Sequence, residues 1–284
     1  MKWSVPLSAL VAGLVLAGCG GGSGGTQSVN VQPAATYEIV GFKPSRPVPA
    51  GKPVLVSFEI KQPDGTPLTQ FKTGPGPHTG VHLIFVRRDL QYIVHEHPRV
   101  GGSPTIRDLI TFPAPGPYRL VVDVYPATSD QQVNSNFQLF ESVKVAGAYH
   151  PRPLGKTTSS ATVDGYRFTL HGANALKAIQ AQLVTVDVIG PGGKPAVFSP
   201  WFGALAHAIF FRQGSLDYFH THVCAPGVSG CTSVLGATKI TGRSATPGKL
   251  NVGVLVPAPG KWRLFLQTQV DGKVITAPFV LEVR

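Results

Sequence analysis

The chain has 284 residues, enough for two domains that each bury a core of their own. Only 14% of the residues are charged while Gly (33) and Pro (26) are abundant, which is typical of short strands separated by turns and excludes long solvent-facing helices. The net charge of +11 comes from basic residues scattered singly or in pairs, with no basic run, so we expect no nucleic-acid partner.

The N-terminus has the features of an export signal. Lys2 precedes an apolar stretch, Val5–Leu16, which is too short to span a bilayer comfortably. The stretch runs into the sequence LAGC at positions 16–19, which resembles the lipobox where bacterial prolipoproteins are lipidated on cysteine and cleaved just before it. The sequence therefore predicts an extracytoplasmic lipoprotein that is attached to a cell membrane, inner or outer, through Cys19.

This assignment divides the N-terminus into a signal peptide at 1–18 and a flexible Gly/Ser-rich tether at 19–35. The alternative is a secreted protein with an incidental cysteine. Replacing the anchor, Cys19→Ala, is expected to leave uncleaved or soluble protein, because the acylated sulfur makes the attachment. Membrane fractionation and the mass of the product measure this. A variant of normal size that still sediments with membranes would contradict the anchor.

Two further cysteines, Cys224 and Cys231, lie close together in the sequence. Exported proteins reach an oxidising compartment, so we predict a disulfide that closes this short loop. The alternative is that Cys224, two residues after His222, serves as a thiolate metal ligand.

From about Thr36 the sequence is all-β. Segments rich in β-branched and aromatic residues alternate with turn sequences such as Pro63–Gly65. The clearest strand-length segments are Val54–Ile60, Tyr118–Val124, Leu183–Ile189 and Lys261–Val270.

The two halves of the chain repeat each other. His82–Arg87 (HLIFVR) matches His207–Arg212 (HAIFFR), and Pro113–Leu120 (PAPGPYRL) matches Pro257–Leu264 (PAPGKWRL). This indicates the duplication of a whole domain.

The strand number and turn spacing of each half favour an immunoglobulin-like β-sandwich. We therefore predict two tandem sandwiches related by internal duplication. Their bounds are 36–147 and 161–284, and the linker between them is 148–160.

Three histidines sit inside the first repeated block: His82, His95 and His97. If the block is a hairpin with a two-residue turn at Arg88–Asp89, His82 lies directly opposite His95. Side chains two residues apart share a face of a strand, so His97 joins the other two.

The second block repeats this spacing with His207, His220 and His222, and its turn is predicted at Gln213–Gly214. Three converging imidazoles are a ligand set for copper or zinc, with one position left open. The same face continues with apolar residues, which predicts a site at the rim of each sandwich core: Ile84, Val86, Ile93, Ile209, Phe211, Leu216 and Tyr218.

Other ligands are less well supported by the sequence. His78 is a possible fourth ligand, but the equivalent position of the second half is Gly203. The chain's one methionine is Met1, so thioether ligation of Cu(I) is not expected in the mature protein. The alternative to metal binding is a structural histidine cluster.

The pattern His82-x4-Arg87-x2-Leu90-x4-His95-x-His97-Pro98 resembles that of exported bacterial proteins described as YtkA-like or heavy-metal-associated, which have immunoglobulin-like domains. The similarity covers the hairpin block of each half. It implies the handling of copper or another heavy metal outside the cytoplasm.

These observations favour a non-catalytic lipoprotein that binds Cu(II) or Zn(II) at one three-histidine site per domain. It would handle or deliver metal, with a metal-transport protein or a metalloprotein as partner. The alternative is a cell-surface adhesive module with structural histidines. No catalytic residues are predicted, because zinc-protease, serine-hydrolase and phosphate-loop motifs are missing from the sequence. A histidine-ligated oxidase or hydrolase is a third alternative.

Overall fold

The structure is a computed structural model that describes residues 36–74, 77–127, 136–226, 244 and 246–284. The predicted signal peptide, the tether with Cys19, and Cys231 lie outside these residues, so the lipid anchor and the disulfide stay predictions. None of the helices in the described ranges has the length and apolar character needed to cross a membrane.

The N-terminal sandwich consists of two antiparallel sheets. One has the strand order β1-β2-β5 and the other β4-β3-β6-β7. The strands are β1 (Glu38–Lys43), β2 (Pro53–Lys61), β3 (Val81–Arg87), β4 (Ile93–Glu96), β5 (Thr105–Thr111), β6 (Gly116–Val124) and β7 (Phe137–Val145).

The C-terminal sandwich repeats this arrangement with additions. One sheet has the order β14-β10-β9-β8; in the other, β15 lies between β12 and β16, and β12 also pairs with β13. The strands are β8 (Ser160–Val163), β9 (Tyr166–His171), β10 (Gln182–Ile189), β11 (Phe198–Ser199), β12 (Ala206–Arg212), β13 (Tyr218–Val223), β14 (Lys249–Val254), β15 (Gly260–Val270) and β16 (Lys273–Val283), with short 3-10 helices at Ala173–Ala175 and Pro191–Gly193. The predicted fold class, two tandem immunoglobulin-like sandwiches related by duplication, is confirmed.

The repeated PAPG motif has the same structural role in both sandwiches. Tyr118 is buried in the N-terminal core, and its hydroxyl donates to the carbonyl of Ala114 (3.0 Å). Trp262 is buried at the equivalent place, and its indole N–H donates to the carbonyl of Ala258 (3.0 Å). In each case the aromatic ring fills the core while its polar atom satisfies the preceding turn.

Strand β3 is buried on both faces. Leu83 and Phe85 point into the core of their own sandwich, whereas Ile84 and Val86 belong to a separate cluster that draws on both domains. We call this group the interdomain cluster; its buried members are Ile84, Val86, Leu90, Val121, Leu154, Ile209, Phe211, Leu216, Phe265 and Val280.

The two sandwiches therefore pack face to face through the outer surfaces of their β3 and β12 sheets. The prediction that Ile84, Val86, Ile209 and Phe211 line the rim of each sandwich's own core is wrong. Side chains alternate along a strand, so the residues that do not enter the core form a second apolar face. In this chain that face is covered by the other domain.

The segment predicted as a linker is fixed to both domains. Leu154 is only 6% exposed and packs in the interdomain cluster. The backbone N–H of Arg152 donates to the Asp89 carboxylate (3.1 Å), and Lys261 donates to the carbonyl of Gly155 (3.0 Å). The chain that joins the sandwiches thus belongs to their interface.

Candidate functional site

The register of the two hairpins differs from the prediction by two residues. Ile84, and not His82, pairs with His95. In the second hairpin His207 pairs with His222, while Ile209 pairs with His220. A shift of two residues keeps every side chain on its predicted face, so the histidines still share one face in each domain.

The cause of the shift is the length of the turns. Backbone hydrogen bonds from Arg87 to Tyr92 (2.9 Å) and from Arg212 to Asp217 (3.0 Å) close loops of four residues where two were predicted. Leu90 and Leu216 adopt the left-handed conformation in these loops (φ 61° and 60°). Both leucines are buried in the interdomain cluster, which offsets the conformational cost of such a backbone.

The histidines of the two domains meet in one place. The ring centres of His95 and His207, from different domains, are 5.0 Å apart, and those of His82 and His220 are 5.6 Å apart. The two triads predicted as separate sites therefore lie side by side, and seven imidazoles form a single group at the domain interface. We call it the histidine cluster; it comprises His78, His82, His95, His97, His207, His220 and His222.

Two rings of the cluster are held from outside by oxygen acceptors. His95 donates from Nδ1 to the side-chain oxygen of Gln267 (3.1 Å), and His207 donates from Nε2 to the carbonyl of Trp201 (3.0 Å). These bonds fix the tautomer of each ring and leave the opposite nitrogen, turned toward the cluster, with its lone pair. Metal-binding histidines have this arrangement, because the outer hydrogen bond orients the ring and makes the ligating nitrogen more basic.

His82 lies at the centre of the cluster and is fully buried. Neither of its ring nitrogens makes a well-formed hydrogen bond to a described residue, and the same holds for Nε2 of His222. Burial lowers the pKa of His82 to about 3 and holds the pKa values of His95, His207 and His222 well below their ordinary range. These imidazoles are therefore neutral at pH 7, which is the form that binds metal.

Asp123 places a carboxylate beside the rings. One of its oxygens accepts from Asn136 (2.8 Å) and Gln138 (3.1 Å); the other accepts from the Tyr218 hydroxyl (3.4 Å) and lies 3.9 Å from Nδ1 of His220. Burial alone raises the pKa of Asp123, but the contact with His220 and the hydrogen bond from Asn136 outweigh it and lower the pKa. The carboxylate is thus ionised in the interface.

Asp123 and Gln267 occupy equivalent positions in the repeat. Asp123 pairs with His82 across β6 and β3, and Gln267 pairs with His207 across β15 and β12. Each then reaches a histidine of the opposite domain: Gln267 binds His95, and Asp123 approaches His220. The interface therefore has approximate two-fold symmetry, with a charged group on one side and a neutral one on the other.

Asp123 and Gln267 were missed by sequence reasoning, although a signal was available. Each is a polar residue within an otherwise apolar strand, at matching positions after the repeated PAPG motif. Trp201 and Phe202 were also missed, because no motif marks them. Phe202 stacks on the ring of His97 (3.8 Å), which in turn stacks on His82 (3.8 Å), so these rings form the wall of the cluster.

Two sets of three histidines have ligand nitrogens that all lie within 4.8 Å of one another among the described residues. The predicted triad His207, His220 and His222 is one of them. The other combines His82 and His95 with His220 from the opposite domain, in the place predicted for His97. All-imidazole donor sets suit Cu(II) and Zn(II), so the residues fit the predicted class of metal. Cys224 is buried but belongs to neither set.

The solved structures to which the chain is similar share little of its sequence. The Escherichia coli adhesin FdeC is 14% identical with a TM-score of 0.24; the match covers 88% of this chain and 63% of FdeC. Invasin, a bacterial integrin-binding protein, is 14% identical with a TM-score of 0.22, covering 86% of this chain and 38% of invasin. Domains 4 and 5 of the S-layer protein SbsC are 11% identical with a TM-score of 0.22, covering 87% of this chain and 97% of that one.

The chain thus spans less than two thirds of the length of FdeC and of invasin. No curated protein is a significant match to this sequence. A family profile does match, in two segments at residues 36–147 and 161–284, which together make up most of the chain. The chain belongs to the family described as a domain of unknown function, DUF8832.

Proposed function

We propose that this protein is an extracytoplasmic lipoprotein that binds Cu(II) or Zn(II) through the histidine cluster between its two domains. Its role would be metal handling or delivery, with a metal-transport protein or a metalloprotein as partner. The observation that carries the proposal is the state of the rings: His82, His95, His207 and His222 are buried and neutral, and His95 and His207 are held from outside by oxygen acceptors.

The free-energy cost of burying these rings supports metal binding over a purely structural role. A buried polar group without a hydrogen bond costs roughly 1 to 3 kcal/mol. Among the described residues, His82 has a backbone contact with Pro77 but no well-formed hydrogen bond at either ring nitrogen, yet it is completely buried. An ion bound at these nitrogens would replace the missing hydrogen bonds. A structural histidine cluster is normally satisfied by hydrogen bonds, and the described residues give His82 no well-formed one.

Metal-free mature protein is expected to bind Cu(II) or Zn(II) tightly at neutral pH, as measured by isothermal titration calorimetry and elemental analysis. Replacing His95, His97, His220 and His222 together with Gln is expected to remove this binding. The matched control is His150→Gln with His171→Gln, because both of these histidines are exposed and lie outside the cluster. If the wild type and the quadruple variant bind Cu(II) and Zn(II) with equal affinity, the proposal is refuted. A cell-surface adhesive module with structural histidines is then the better hypothesis.

A further inference from the structure

We infer that the cluster holds one divalent ion per chain, at a site shared by both domains: His82 and His95 from the N-terminal sandwich and His220 from the C-terminal one, with Asp123 as the neighbouring negative charge. The inference rests on the proposed metal binding and specifies its ligands and stoichiometry. The ligand set and the stoichiometry both differ from the sequence-based prediction of one three-histidine site in each domain.

Ring geometry favours this set. Three imidazoles bound through nitrogen at about 2.0 to 2.1 Å have ring centres roughly 5.2 to 5.5 Å apart in a tetrahedral or trigonal site. The rings of His82, His95 and His220 are separated by 5.3, 5.6 and 5.8 Å. Two of these separations lie slightly above that range. In the set that lies within the C-terminal domain, the separations are 4.5, 5.0 and 5.4 Å, so two pairs of rings are closer than these angles allow, and the pair at 4.5 Å departs furthest from the range.

The hydrogen bonds of the rings also favour the shared set. His82 has two buried nitrogens without a well-formed hydrogen bond to a described residue. Each set also contains a contact between ring nitrogens: Nε2 of His95 lies 3.0 Å from Nε2 of His97, and Nε2 of His220, which belongs to both sets, lies 3.2 Å from Nδ1 of His207. In the C-terminal set, Nδ1 of His222 lies 3.0 Å from Nε2 of His78, so only Nε2 of that ring lacks a hydrogen bond to a described residue. Apart from a backbone contact with Pro77, His82 has no well-formed hydrogen bond among the described residues, so the shared set gains more from an ion.

Charge and shared ligation limit the site to one ion. Both candidate sets require His220, and a neutral imidazole offers a single lone pair. Among the described residues, Asp123 is the carboxylate that approaches the rings. A second buried divalent ion would bring two further positive charges with no second carboxylate to offset them, and uncompensated buried charge is strongly unfavourable.

An ion at this position would join the two domains directly. Its ligands come from β3 and β4 on one side and β13 on the other, across the interdomain cluster. Since the ion binds the packed arrangement and not the separated domains, it would stabilise the interface by mass action.

The test is the stoichiometry of the full mature chain and its dependence on single residues, measured with Cu(II) alone by calorimetry and electron paramagnetic resonance. We expect one ion per chain with nitrogen ligation. His95→Gln is expected to lose that ion, whereas His222→Gln keeps one ion per chain with affinity lowered by less than about tenfold. Two ions per chain, or loss with His222→Gln and retention with His95→Gln, would overturn the shared site. No binding by the wild type would instead refute the proposed function.

A second pair of variants keeps the test independent of folding defects. Asp123→Asn retains the shape of the side chain and is expected to weaken Cu(II) binding by about 10- to 100-fold, as is usual when a group supporting a metal ligand is changed. Gln267→Glu adds a carboxylate at the equivalent position and is the matched control, expected to strengthen binding. Circular dichroism verifies both folds. Affinity unchanged in Asp123→Asn, or weakened equally in both variants, would contradict the role given to Asp123.

Discussion

Acidification of the metal-free protein from pH 7 to about pH 4 is expected to destabilise it by several kcal/mol. When the pKa of a histidine is lower in the folded state than its unfolded value of 6.5, its titration does not change the free energy of unfolding above pH 6.5. As the pH falls below 6.5, only the unfolded chain takes up the proton, so stability is lost until the folded pKa is reached. For His82, with a folded pKa of about 3, the loss at pH 4 is on the order of 3 kcal/mol.

Other buried rings add to this effect in the same direction, because burial also holds the pKa values of His95, His207 and His222 well below 6.5. The charged and titratable groups that face His82 are Asp123, His78, His95, His97, His220, His222 and Tyr125. Asp123 titrates in a lower pH range than the histidines. Its pKa is lowered from 3.8, so its stabilising charge is lost only below pH 3.8. Measurements above pH 4 therefore exclude the loss of the Asp123 charge.

Urea unfolding at a series of pH values, with metal removed by chelation, measures this loss. His82→Gln is expected to reduce the dependence on pH between 6.5 and 4. His150→Gln with His171→Gln should retain it, since both side chains are exposed. An unfolding free energy that stays constant from pH 7 to pH 4.5 would show that the rings are not held in the neutral, buried state.

The second large effect is expected at the interdomain cluster. Phe265 is 2% exposed and packs there, on the face of β15 that points away from the C-terminal core. Phe265→Ala is expected to cost about 3 to 5 kcal/mol, the usual range for removing a buried phenylalanine. Because this ring stabilises the contact between the sandwiches, the variant is expected to unfold in two transitions where the wild type unfolds in one.

Calorimetry and denaturant unfolding followed by two probes measure this change. Leu109→Ala is the matched control. Leu109 is 64% exposed on the β1-β2-β5 sheet, away from the interface, so this substitution should change the free energy of unfolding by no more than about 0.5 kcal/mol. A Phe265→Ala protein that loses less than 1 kcal/mol and still unfolds in one step would contradict the interface as described.

Much of the site could be predicted because it depends on the alternation of side chains between the two faces of a strand. The repeated spacing of His82, His95 and His97, and of His207, His220 and His222, places three histidines on one face of each hairpin whichever even register the strands adopt. The duplication and the all-β class follow from the same kind of local pattern. These features were predicted correctly even though the predicted register of the two hairpins was wrong by two residues.

The register itself depended on tertiary contacts. A two-residue turn at Gln213–Gly214 agrees with local preference, but Leu90 and Leu216 gain more by reaching into the interdomain cluster from longer loops. Turn propensity is a weak local term, and the burial of two leucines outweighs it.

What covers the histidine face was decided by the tertiary structure alone. The apolar runs LIFV (83–86) and AIFF (208–211) are typical of strands buried on both sides, so the sequence indicates a second covered face, although we predicted that face at the rim of each sandwich's own core. The sequence does not name the partner that covers this face, because hydrophobic burial is non-directional and any apolar surface would satisfy it. Only the packing of one sandwich on the other joined two predicted triads into one cluster, and brought Asp123 and Gln267 each to a histidine of the opposite domain.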